Sequence, residues 1–193
     1  MVQLVCEEGK RDIYINGKKH RIRIKCQQSD DKDYRYTLEI FIDKLEHGTK
    51  GVIAILLNPS NAGLKTKKGL MRLDPTSGKL MRLCYKEGYR HIFICNLFSF
   101  RTPDIKKLIL GDETENDKII KENLDKFDKI ICGWGEGKGI NRQRYHERID
   151  RVKTYLLNKK TFKIGHTLVK NLYPKHPRSK ILINDKLTEY ILK

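Results

Sequence analysis

The sequence predicts an α/β protein: a three-layer α/β/α sandwich on a central, mostly parallel four-stranded sheet, with an N-terminal β extension. Three observations carry that prediction. Four short runs are apolar almost throughout, VIAILLN (52–58), HIFICNLF (91–98), KIICGW (129–134) and FKIG (162–165). The segments between them space their apolar residues as helices do. Ahead of both, Asn16-Gly17 separates two strand-like runs, and these residues tolerate the positive φ of a tight hairpin.

Each element has its own reason. RDIYINGKKHRIRIKC reads as a hairpin, and YRYTLEIFID (34–43) alternates as a strand does. Leu80, Leu83 and Cys84 share a helical face that Gly88 ends; Ile120, Leu124 and Phe127 share a second. Tyr145, Ile149, Val152 and Leu156 make the longest stripe, with Asn141 as its opening cap. Residues 1–33 are read as a hairpin extension and 34–193 as a single α/β domain. Strands apolar on both faces need helices on both sides. Right-handed crossovers then bring their C-terminal ends to one margin, where ligands of such sheets bind.

With 193 residues, the chain is long enough for one real core. Its 41 Lys+Arg against 24 Asp+Glu give a formal charge of +17, which favours anionic partners, nucleic acid above all. No apolar run approaches the ~18 residues of a membrane span, so no membrane partner is expected. Five cysteines without C-x-x-C spacing suggest a reduced, cytoplasmic protein. The six histidines include no H-x-x-x-H pair, and no metal or cofactor is expected. GWGEGKG (133–139) is neither G-x-G-x-x-G nor a P-loop, and G-x-S-x-G is absent.

Polar residues collect just past the predicted strands. The first strand gives Asn58-Pro59-Ser60, and the second gives Asn96, Phe98 and Arg101. Trp134-Gly135 follows the third, and YPKHPRSK (173–180), with His176, follows the fourth. Two basic stretches flank this rim. Lys65, Lys67, Lys68 and Arg72 lie in one; Lys175, Arg178 and Lys180 lie in the other. Both are expected to follow a nucleic-acid backbone.

Taken in order, LNPSNA, DPT (74–76), NLFSFRTPD (96–104), END (115–117), WG, Arg142 and YPKHPRS resemble the domain of unknown function 1643 family of bacteria and phages. Its members carry LNPS-x-A, D-P-T, N-L-F-x-x-R, N-D, W-G and P-R-H-P-L in that order; here Arg178 replaces the final Leu. A looser resemblance, one of layout, is to uracil-DNA glycosylases. It implies a glycosylase-like enzyme that hydrolyses the N-glycosidic bond of a modified or unusual base. In that scheme Asn58 orients water, Asn96 reads the base, and His176 donates to the departing base. The carboxylate is Asp74 or Asp117, and Phe98 or Phe100 stacks on the base. Pro59, Ser60, Arg101, Trp134, Gly135 and Arg142 complete the expected substrate contacts. The alternatives are a non-catalytic nucleic-acid binder and an enzyme of free nucleotides.

Overall fold

The computed structural model describes residues 3–43, 49–179 and 185–192. In chain order its elements are β1 (Leu4–Ile15), β2 (Lys18–Ser29), β3 (Arg35–Ile42), β4 (Gly51–Leu56), α1 (Pro75–Lys86) and β5 (His91–Asn96). After a short 3-10 turn come α2 (Thr114–Leu124), β6 (Ile130–Cys132), α3 (Arg142–Tyr155), β7 (Thr161–Ile164) and β8 (Leu187–Glu189). The strands form one eight-stranded sheet in the order β1-β2-β3-β5-β4-β6-β7-β8. β4 runs parallel to β5 and β6, and β6 to β7; the remaining neighbours are antiparallel.

This corrects the expected fold class. The sheet is mixed and eight-stranded rather than a central, mostly parallel sheet of four, and strands predominate over the three α-helices of the described residues. Two features of the chain account for the difference. The N-terminal hairpin is an integral wing of the sheet: β2 pairs with β3 from Ile22↔Ile42 onward, and β3 pairs with β5. At the other end β8, only three residues long, adds antiparallel to β7; so short a strand leaves no periodic trace in the sequence.

Alternation explains why the hairpin joins. Ile13, Ile15, Ile22, Ile24 and Cys26 face the same way and are buried with Leu38, Ile40, Val52 and Ile94. Helix α1 covers this face through Leu80, Met81, Leu83 and Cys84. On the opposite face Ile53, Ile55, Phe93 and Cys132 pack against α2 and α3 through Ile120, Leu124, Tyr145, Ile149 and Val152. Asn141 caps α3, its Oδ1 accepting from the Arg144 N–H at 3.1 Å. No helix among the described residues is long and apolar enough to cross a membrane.

Candidate active site

The ends of β4 and β5 lie side by side, with Leu56 opposite Asn96. Beyond them the chain stays paired: Leu97 N–H donates to Leu56 O at 2.8 Å, Phe98 N–H to Leu57 O at 3.0 Å, and Thr102 N–H to Pro59 O at 2.9 Å. These two segments wall a cleft of about 560 Å³ that Asn58, Ser60, Asp74, Asn96 and His176 all line. That volume falls within the usual range of small-molecule sites, roughly 300–1,000 Å³.

Two residues past the end of β4, the Asn58 amide adds side-chain bonds to this pairing. Its Nδ2 donates to Thr102 O at 2.7 Å and to Pro59 O at 3.1 Å. Both amide hydrogens are thereby used, so the side chain has only an acceptor oxygen to offer a ligand. Asn96 differs. It is buried, lines the cleft, and neither its Nδ2 nor its Oδ1 has a hydrogen-bond partner among the described residues. A buried amide left unmatched costs about 1–3 kcal/mol. Asn96→Leu, which keeps the branched shape, is therefore expected to stabilise the protein by about that amount while abolishing ligand recognition. A urea titration beside a binding measurement checks both halves.

Asp74 caps α1, with Oδ1 accepting from Ser77 N–H at 2.7 Å, while Ser60 Oγ donates to Oδ2. Burial raises the Asp74 pKa, but the bonds from Ser60 and Ser77, with the charge of Arg35, bring it below its ordinary value. The carboxylate is thus ionised in the cleft at neutral pH. His176 packs on Gly135, where a Cβ would come within 2.9 Å of the His176 Cβ and where φ is +76°. Its Nδ1 accepts from the Arg178 N–H at 3.1 Å, so the neutral ring carries its proton on Nε2.

Burial, helped by the charge of Arg178 and opposed by Asp74, pulls the His176 pKa from 6.5 to about 4. The unfolded chain binds that proton first on acidification. Stability is therefore full above pH 6.5 and is expected to fall as pH drops toward about 4. His176→Gln should flatten that window in a pH series of thermal midpoints.

Other expected site residues lie elsewhere. Pro59 holds the loop through its carbonyl. Arg101 braces the same loop from behind, with Nη1 on Ser60 O and Ala62 O, both at 2.8 Å, and Nη2 on Gln28 Oε1 at 2.6 Å. Phe98 and Trp134 are buried in the core, Trp134 edge-on to Tyr190, and Phe100 sits edge-on to Tyr34. Asp117 is buried against Arg148 at 2.5 Å and Arg151 at 2.7 Å, so of the two expected carboxylates Asp74 is the one that lines the cleft with His176. Gly135 supports His176 from beneath, and Arg142 begins α3 beside Lys138 and Lys170 in a separate hollow.

Lys65, Lys67, Lys68 and Arg72 are exposed on the loop before α1. Lys175 pairs with Asp185 at 3.2 Å, Arg178 lines the cleft, and Lys180 lies outside the described residues. Sequence reasoning missed Arg35, Thr102, Asp104 and Lys138, which also line the cleft. Thr102 and Asp104 were in plain view within NLFSFRTPD. Arg35 left one trace, an arginine opening a strand that is otherwise nearly all buried.

A family model described as "Protein of unknown function (DUF1643)" matches residues 35–178. The chain belongs to this family. The DUF1643 span starts at Arg35 and stops at Arg178, so it encloses every residue lining the cleft. It leaves out the whole β1–β2 hairpin and β8. No curated protein matches the chain.

Proposed function

We propose that the cleft receives a nucleobase still attached to its sugar, and that the protein hydrolyses the N-glycosidic bond of a modified or unusual base in nucleic acid, with DNA the favoured polymer. The observation that carries this reading is Asn96: a buried amide, unmatched on both atoms, beside Asn58, Asp74 and His176 in one cavity. An amide presents one donor and one acceptor side by side, as base edges do.

Breaking the C–N bond leaves positive charge on the sugar and negative charge on the departing base. The neutral His176 offers its Nε2–H to that base, where a fixed donor stabilises developing charge. Oδ1 of Asn58 holds a water, and the ionised Asp74 accepts its proton as the water oxygen bonds to the sugar carbon. The base leaves with the bonding electron pair.

The test is a panel of oligonucleotides carrying uracil, alkylated, oxidised and bulky-substituted bases, single- and double-stranded, scored for alkali-labile abasic sites. Abasic sites that depend on Asn58 and His176 support the reading. Tight, salt-sensitive binding without abasic sites across the panel points instead to a non-catalytic binder. A reading on free nucleotides draws support from the cleft's own cations, Arg35, Lys138 and Arg178. Faster turnover of mononucleotides than of oligonucleotides would select it.

A further inference from the structure

Arg35 and Arg101 converge on a single carbonyl. Arg35 Nη1 donates to Ala62 O at 3.0 Å, and Arg101 Nη1 donates to the same oxygen at 2.8 Å. Two guanidinium groups so close repel each other, and Arg35 is only 2% exposed. Among the described residues its buried Nε has no partner, and no carboxylate forms an ion pair with it. Asp74 is the nearby carboxylate whose charge acts on Arg35, but its oxygens are turned to Ser60 and Ser77 N–H. A buried cation in this position calls for an anion from outside.

The cleft is arranged to receive one. Arg35 lines it together with Thr76 and Ser77 in the first turn of α1; the Ser77 N–H already serves the Asp74 cap, and the dipole of this helix end favours further negative charge beside it. Arg178 and Lys138 stand at the same cavity, so three cations face the two carboxylates of Asp74 and Asp104. One net positive charge remains, which balances one phosphodiester or a singly charged phosphate.

We propose that Arg35, the start of α1 and Arg178 form an oxyanion subsite for a phosphate group, carried by a nucleotide or free in solution. The subsite does not depend on glycosidic cleavage, since it is a binding property of the resting protein.

The test is calorimetric titration of the full chain with inorganic phosphate, a nucleoside, and the matching nucleoside 5′-monophosphate. Saturable phosphate binding is expected, weakened at least about tenfold in Arg178→Gln and Arg35→Lys and unchanged in Lys118→Gln, an exposed residue of α2. Arg35→Lys keeps the charge but loses the two-pronged geometry. Should that buried change prevent folding, Arg178→Gln alone decides, because its backbone contact with His176 is retained. A monophosphate binding at least about tenfold more tightly than its nucleoside assigns the subsite to nucleotides, whereas phosphate binding without that gain assigns it to free phosphate. Phosphate binding that is absent, or undiminished in Arg178→Gln, overturns the proposal. Loss of base release with phosphate binding intact would count against the glycosidic reading alone.

Discussion

Replacing His176 with alanine is expected to slow base release by about 10²–10³-fold, the usual cost of removing one donor aimed at developing charge. The effect should fall on kcat more than on KM, because the leaving base carries its charge only in the transition state. The His176 pKa is lowered to about 4, so the donor role proposed for it should not titrate near neutrality. A rate profile between pH 5 and 8 should accordingly show no limb that His176→Ala abolishes. Single-turnover base release by the two proteins measures both points, and a variant as fast as the parent would remove His176 from the chemistry.

The largest stability effect is expected on the far side of the sheet from α1. Arg148 and Asp117 are both almost fully buried, and Arg148 Nε also donates to Leu97 O at 2.5 Å. Asn116 Nδ2 donates to the neighbouring carbonyls of Asn96 and Leu97, at 3.1 and 3.3 Å. This network anchors the end of β5 from behind. Arg148→Met is expected to cost about 3–5 kcal/mol, because Asp117 is left buried with only the exposed Arg151 to balance it. The double change Arg148→Met with Asp117→Leu should recover most of that loss, since an apolar pair carries no desolvation penalty. Urea denaturation of the parent and the two variants reads the recovery. Equal losses in the single and double variants would show that the charges do not compensate each other.

The part of the fold visible in the sequence was what repeats along the chain. Leu80, Leu83 and Cys84, or Tyr145, Ile149 and Val152, recur at helical spacing because one face of each helix is dry. How the strands are shared out does not repeat. Whether Ile22 and Ile24 close a separate hairpin or extend a sheet depends on β3 pairing on both sides, and local alternation is the same in either case. The site divided along similar lines. Asn58 and Asn96 were legible because each closes an apolar run, and His176 because it sits in the loop that succeeds the fourth run; strand ends are where such sheets bind ligands. Asp117 misled because an acidic residue at a helix start looks the same whether it faces a cleft or a buried arginine. Arg35 escaped notice because charge at a strand's first residue ordinarily meets solvent.

The brace made by Arg101 reaches backward across the family boundary. Gln28, which accepts from its Nη2, precedes the span shared with relatives, whereas Ser60 and Ala62 lie within it. A homologue without a counterpart of β2 would have to find that Nη2 another acceptor, while the bonds from Nη1 to Ser60 O and Ala62 O still hold the arginine. The group facing Nη2, rather than the arginine itself, is therefore what should change between homologues with and without the leading hairpin.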